Sequence, residues 1–313
     1  EMKYSFVTVF LLWMTTAPGW GSVLAIGLQP ESLFGAEAAV QEDQDEPESR
    51  LLSATRQLIF EGRRSGEGYF GGQGSRLIFQ SEREPGNPFF QIYLMDLTTG
   101  DTHRVSPGFG RTTCAWIHPD GESVLFSSTH ADPDARLKQQ EELDFRESGQ
   151  TRRYSWDYDE FYDIYRSDVE GTQFKNLTRT RGYDAEGSFS PDGKLIVFSS
   201  NRHAYQQELS SRDQEIFDRD KSYLVDVYLM NADGSNPTRI TSSRHENRMG
   251  DWSPDGEWLV FYTVEREESR GLWLRNPDGV NSIHLTSGQD RDPVWSPDGR
   301  HIAFVSLGDD NAD

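Results

Sequence analysis

The side chains able to do chemistry are few and scattered. A single cysteine, Cys114, stands in Thr113-Cys114-Ala115-Trp116. One cysteine cannot close an internal disulfide, complete a cysteine-rich zinc site or form a Cys-x-x-Cys redox pair. Its apolar, strand-like surroundings predict a buried small hydrophobe. The seven histidines (His103, His118, His130, His203, His245, His284 and His301) have no His-x-x-x-His spacing, so no helical zinc site is predicted. Asp184, Glu186, Asp251, Asp290 and Asp292 recur just ahead of a repeated Trp/Phe-x-Pro-Asp-Gly element. Carboxylates brought together in that way offer oxygen ligands to Ca²⁺, with Asp184, Asp251, Asp290 and Asp292 as the candidates. Turn capping and hydration are the alternative use for them. No Gly-x-Ser-x-Gly elbow and no phosphate-binding loop of the Walker or dinucleotide type is read. No catalytic residue is assigned and no cofactor is expected.

The elements that must position these groups are repeats. One unit reads Trp116-Ile117-His118-Pro119-Asp120-Gly121, Phe189-Ser190-Pro191-Asp192-Gly193, Trp252-Ser253-Pro254-Asp255-Gly256 and Trp295-Ser296-Pro297-Asp298-Gly299. An apolar run follows each copy: Val124-Leu125-Phe126, Leu195-Ile196-Val197-Phe198, Leu259-Val260-Phe261 and Ile302-Ala303-Phe304. A worn copy lies at Tyr69–Phe79, with Gly74 at its turn. A second unit alternates with the first: Ile92-Tyr93-Leu94-Met95-Asp96, Ile164-Tyr165-Arg166-Ser167-Asp168, Val227-Tyr228-Leu229-Met230-Asn231 and Leu272-Trp273-Leu274-Arg275-Asn276, each running on to a glycine. A short third stretch closes each unit: Arg104-Val105-Ser106, Asn176-Leu177-Thr178, Arg239-Ile240-Thr241 and His284-Leu285-Thr286.

Pro-Asp-Gly supplies a fixed φ, a carboxylate that caps the turn and a residue tolerant of positive φ, which together make a tight turn between strands. Successive turn glycines lie 47, 72, 63 and 43 residues apart. A base period in the forties with four strands per unit matches a β-propeller blade, and the two long intervals carry insertions. Over residues 51–306 these repeats resemble the TolB-like β-propeller family, with its Ser-Pro-Asp-Gly and Asn-x-Asp-Gly turns. The resemblance implies an all-β propeller whose relatives scaffold, bind partners or precede peptidase domains. Ala54–Phe60 reads as the outermost strand of a blade whose first strands are missing, and Pro293–Ser306 as inner strands that stop. Joining the two would close a five-bladed ring, with six blades as the alternative.

The first insertion, about 129–159, predicts a short helix at Leu137–Phe145 and then turns aromatic from Tyr154 to Tyr162. Trp156, Tyr158, Phe161 and Tyr162 are candidate partner contacts, since Trp and Tyr favour interfaces. Covering the blade beneath their own loop is the competing use. The second insertion, His203–Ser222, is mixed in charge and reads as a solvated loop or short helix.

The 313 residues carry 31 Lys+Arg against 52 Asp+Glu, a net charge of −21. That balance excludes general nucleic-acid binding, which needs a basic footprint. Tyr4 to Leu28 holds no charged side chain, and 25 residues suffice to cross a bilayer as a helix. Phe6, Val7, Phe10, Leu11, Leu12, Trp13, Trp20, Leu24, Ile26 and Leu28 supply its apolar surface. Lys3 ahead of it places the rest of the chain across the membrane. A cleaved signal peptide ending near Ala36-Glu37-Ala38 is the alternative. Residues 29–50 form an acidic linker, and 51–313 the propeller. The expectation is a non-catalytic, membrane-anchored extracytoplasmic propeller. It would dock with the other subunits of a bacterial membrane complex, energy-converting ones (respiratory or photosynthetic) being one setting. A soluble periplasmic protein-binding propeller and a hydrolase or lyase acting in the channel are the alternatives.

Overall fold

The computed structural model describes residues 55–71, 74–152, 158–242, 246–264 and 270–306. The expected hydrophobic N-terminal helix, the acidic linker and Trp156 lie outside them. Four antiparallel sheets have four strands each. The first holds β1 (Arg64–Phe70), β2 (Arg76–Glu82), β3 (Gln91–Asp96) and β4 (Thr102–Arg104). The second holds β5 (Thr112–Ile117), β6 (Ser123–Ser128), β7 (Asp163–Asp168) and β8 (Phe174–Asn176). The third holds β9 (Asp184–Phe189), β10 (Leu195–Ser200), β11 (Asp226–Asn231) and β12 (Thr238–Arg239). The fourth holds β13 (Glu246–Trp252), β14 (Leu259–Val264), β15 (Gly271–Arg275) and β16 (Ser282–His284). A fifth sheet pairs only β17 (Asp290–Trp295) with β18 (Ile302–Ser306). The expected helix of the first insertion is α1 (Ala135–Glu147), and the second insertion forms α2 (Arg202–Gln206) and α3 (Ser211–Arg219).

The repeated residues explain the repeated strands. In the third sheet the turn from β9 to β10 closes through Gly193 N–H donating to the Ser190 carbonyl at 2.8 Å, with Gly193 at φ 71°. Ser190 Oγ donates to Asp192 at 2.7 Å and accepts from Leu195 N–H at 3.0 Å, so one hydroxyl ties both ends of the turn. Ser253 and Ser296 repeat this arrangement with Asp255 and Asp298. The bond from Lys194, helped by those from Ser190 and the backbone, holds the Asp192 carboxyl down at about 2. A second device fixes the third strand of each complete sheet. The hydroxyls of Ser106, Thr178, Thr241 and Thr286 accept from the backbone N–H of Ile92, Ile164, Val227 and Leu272, each at 3.0 Å.

Successive sheets pack face to face, and the larger part of the core lies in the layers between them. Ile78, Ile92, Ala115, Ile117 and Phe126 fill the space between the first and second sheets. Leu125, Ile164, Phe189, Ile196 and Phe198 fill the next layer, and Val197, Val227, Trp252, Leu259 and Phe261 the one after. Burying side chains of this size contributes roughly 1.5–3 kcal/mol each. Two histidines add inter-sheet bonds: His103 Nε2 meets the Val169 carbonyl at 2.7 Å, and His118 Nε2 the Gly193 carbonyl at 3.0 Å.

Ring closure through the N-terminal strand is not formed among the described residues. Residues 55–60 are coil rather than strand. Ile59 packs, partly buried, against the Leu77, Phe79, Tyr93 and Met95 cluster of the first sheet.

Candidate functional site

The inner strand of every sheet breaks register at the same place: Gly66/Tyr69 in β1, Thr113/Trp116 in β5, Arg248/Asp251 in β13 and Arg291/Val294 in β17. The matching break beside β9 falls where Val197 and Ser199 pair with Ser188 and Ala185. Each break is a β-bulge, an extra residue that re-aims a side chain. Glu67, Cys114, Glu186 and Asp292 occupy the bulges at φ 44°, 52°, 58° and 53°. Left-handed backbone at such residues costs roughly 1–2 kcal/mol apiece and needs support from its surroundings. Small residues follow the bulge. A Cβ on Gly187 would stand 2.9 Å from Leu125 Cδ2, and one on Gly250 3.1 Å from Val197 Cγ2.

The bulges bring chemistry together that the sequence spreads over more than 200 residues. Thr113 Oγ1 lies 3.3 Å from Glu67 Oε2 and 3.2 Å from Cys114 Sγ. Tyr183 Oη donates to Glu186 Oε1 at 3.3 Å and Ser199 Oγ to Glu186 Oε2 at 2.6 Å. Arg248 Nη1 approaches Glu186 at 3.8 Å. Burial raises the Glu67 carboxyl above its ordinary range, and the charge on Glu186 adds to the rise. Burial likewise raises Asp292, again with Glu186 contributing. The Cys114 thiol is pushed well up by burial and by Glu67 and Glu186, so it is held protonated and poorly nucleophilic.

The four candidate calcium ligands do not gather. Asp184 is fully buried and paired with Arg202 at 2.7 Å, and burial lifts its carboxyl to about 6. Asp251 accepts from Trp252 N–H at 2.9 Å and from Trp295 N–H at 3.1 Å, binding the fourth sheet to the fifth. Burial lifts it to about 6 as well. Asp290 is buried at the start of β17, and Asp292 reaches the bulge cluster, where its charge and that of Asp251 both act on Tyr69. Among the described residues no group of three or more His, Cys, Asp or Glu is arranged to hold a metal ion.

The aromatic candidates divide. Tyr162 is buried with Tyr183, Ala185 and Val225, and Tyr158 packs against that cluster. Tyr158 Oη bonds Tyr205 Oη at 2.7 Å and accepts from Asn201 Nδ2 at 3.1 Å. Phe161 stays 39 % exposed. Tyr158 and Tyr162 therefore pack the insertion onto the third sheet. Cys114, expected as a buried hydrophobe, is only partly buried in its bulge. Glu67 was not singled out in the sequence at all. Its only signal is the Gly-Glu-Gly context of residues 66–68. Those residues open a Gly-x-Gly-x-x-Gly spacing (66–71), but it lies on a strand and its bulge instead of a strand-to-helix turn, so it makes no dinucleotide loop.

Two of the histidines, His130 and His203, pack beside aromatic rings. The His130 ring lies tilted against Tyr165, centroids 4.2 Å apart, and burial lowers it to about 4. His203, beside Tyr228 and Arg239, is lowered to about 4 in the same way.

The repeated four-stranded units have counterparts among solved structures. The putative TolB of Agrobacterium tumefaciens superposes with a TM-score of 0.53 at 23 % identity, covering 82 % of this chain and 72 % of that one. The fold is that of the TolB-like β-propellers. A hydrazine synthase chain of Kuenenia stuttgartiensis shares this fold at a TM-score of 0.55 and 15 % identity, over 80 % of this chain and 37 % of that one. In sequence, a protein TolB homolog of Chlorobium luteolum is 30 % identical over 151 residues, 47 % of this chain and 29 % of its own length. An uncharacterized protein of Agrobacterium fabrum is 29 % identical over 173 residues, 50 % of this chain and 51 % of its own. The chain thus spans about half or less of these two relatives. No family model matches the sequence.

Proposed function

We propose that this TolB-like propeller is a non-catalytic, protein-binding scaffold. The observation that carries this reading is where its apolar surface is exposed. Among the exposed large apolar side chains, Val264, Val280, Ile283, Leu285 and Phe304 are 39–76 % exposed and lie in or beside the strands of the last two sheets. Exposed apolar groups concentrated in one part of a surface mark interaction sites. The chemistry-bearing groups support the same reading from the other side. His130 and His203 pack, Asp184 and Asp251 hold the fold together, and the Cys114 thiol stays protonated.

In the fuller form of the proposal, residues 51–313 make five blades, β17 and β18 beginning the fifth. Residues 1–28 anchor the chain in a bacterial inner membrane, and 29–50 space the propeller from it on the periplasmic side. There it docks with other subunits of a membrane complex. The uncharged Tyr4–Leu28 segment and the acidic linker support this placement. Replacing Val280, Ile283 and Leu285 together with serine tests it. Partner protein recovered with the chain from mildly solubilised membranes should fall at least tenfold while the melting temperature holds. Equal recovery would remove the apolar rim as the docking surface.

A second reading, a hydrolase or lyase acting in the channel, is favoured by one observation: the convergence of Glu67, Glu186 and Asp292 at the bulges. Turnover that disappears in Glu67→Gln would support it, and no difference between the two chains would remove it.

A further inference from the structure

Among the four complete sheets, the layers between neighbours are closed at their outer ends twice and open once. A Cβ on Gly171, in the turn after β7, would stand 2.7 Å from Val105 Cα, and one on Gly234, in the turn after β11, 2.6 Å from the Leu177 carbonyl oxygen. Those turns lie directly against the preceding sheet. Gly279 holds the same place after β15, yet its Cβ would meet only Arg275 of its own turn, at 3.8 Å. The cross-sheet bonds differ in the same way. His103 Nε2 meets the Val169 carbonyl at 2.7 Å, and Lys175 Nζ donates to the Asp233 carbonyl at 2.9 Å. The matching residue of the third sheet is Thr238, whose hydroxyl donates instead to the Asn236 carbonyl at 3.3 Å, within its own sheet. A cleft of about 480 Å³ results between the third and fourth sheets. Leu229, Arg239 and Ile240 form one wall, and Arg275, Pro277 and Asp278 the other.

Arg275 breaks the repeat at this point. At one register of the third strand Met95 faces Leu77, Ser167 faces Val124, Met230 faces Ile196 and Arg275 faces Leu259. The first three are 7, 2 and 1 % exposed, whereas Arg275 is half-buried beside the cleft. Its Nε and Nη2 donate to the Gly279 carbonyl at 3.2 and 2.7 Å, and among the described residues no carboxylate pairs with it. Arg239 is committed to buried Asp226. Asp278 is exposed and accepts from Val280 N–H at 2.9 Å.

We propose that this cleft binds a small organic carboxylate with a compact apolar body. The carboxylate sits on the Arg275 guanidinium, and the body lies against Leu229, Ile240 and Pro277. This goes beyond the scaffold reading and does not rest on it. Small-molecule sites run from roughly 300 to 1,000 Å³, mostly apolar with a few placed polar groups. A guanidinium is a planar fork that matches a carboxylate, and a half-buried one gains most from such a partner. The net charge of −21 repels anions at long range, but salt screens that repulsion more than it screens a half-buried contact.

The test is equilibrium dialysis of the full chain against 2-naphthoate at physiological salt, with neutral 2-naphthamide as the matched probe. Saturable binding of one naphthoate per chain is expected, at least tenfold weaker for the amide. That comparison leaves the protein untouched. Arg275→Met installs the residue of the first and third sheets at this register. It should weaken naphthoate at least tenfold and melt no lower than the parent. Bound naphthoate should slow hydrogen exchange in residues 238–240 and 272–279. No saturable binding would overturn the proposal, as would equal affinity for the amide or undiminished binding in Arg275→Met. Protection confined to other strands would overturn it too, since the ligand would then sit elsewhere.

Discussion

At the residue scale, the buried charges of this protein belong to its architecture. Asp184 and Arg202 are both buried and paired at 2.7 Å. Removing one member of such a pair strands the other. Arg202→Met should therefore cost about 3–5 kcal/mol, read by chemical denaturation. Tyr158→Phe deletes a hydroxyl bonded to Tyr205 and Asn201 and should cost about 1–2 kcal/mol. The buried carboxylates also set a pH dependence. Asp184, Asp226 and Asp251 are lifted by burial to about 6, above the ordinary aspartate value near 4. A raised acid favours the folded state fully below that ordinary value and loses the benefit as pH rises through the folded one. The melting temperature should accordingly fall between about pH 4 and pH 6 and level off above, and Asp251→Asn should flatten the slope. Depressed carboxyls such as Asp192, at about 2, act the other way, and their contribution disappears only in stronger acid.

At the element scale, turns and bulges decide how much could be read in advance. The Ser-Pro-Asp-Gly turns announce themselves because their chemistry is local: hydroxyl, carboxylate and glycine lie within four residues. Their strands, the order within each sheet and the helix of the first insertion follow from that local grammar. The bulges do not announce themselves. An extra residue at Glu67 or Cys114 shifts the in–out alternation, so a reading by strict alternation misplaces both. Likewise the burial of Asp184 depends on Arg202, 18 residues away on another element. The packing of Tyr158 depends on Tyr205 and Asn201, partners no local pattern supplies. A comparison of glycines tests the turn account. Gly74 and Gly234 both have positive φ, at 67° and 90°, but a Cβ at Gly74 meets nothing within 4 Å while one at Gly234 stands 2.6 Å from the Leu177 carbonyl oxygen. Gly74→Ala should cost about 1 kcal/mol from backbone strain alone. Gly234→Ala should cost clearly more, because the backbone of the neighbouring sheet must move. Equal costs by thermal melting would contradict this.

At the scale of the whole molecule, the described residues repeat one sheet four times in full and once in part, and several of the exposed apolar side chains lie in or beside the last two copies. Phe198→Ala, in the layer between the second and third sheets, should cost about 3–5 kcal/mol. Phe304→Ala, at the same register in the incomplete sheet and 39 % exposed, should cost less than about 1 kcal/mol. That contrast would show that the fifth sheet contributes surface more than stability. The repeats made the fold legible, since each copy corrects the reading of the others. Function was less so, because the residues able to do chemistry are brought together at bulges that no local pattern announces. The most direct measurement of the central claim is the mass of the native assembly after mild detergent extraction of membranes. A scaffold predicts the chain in a complex well above its own 35.7 kDa, with stoichiometric companions. A chain running alone at its own mass would contradict it.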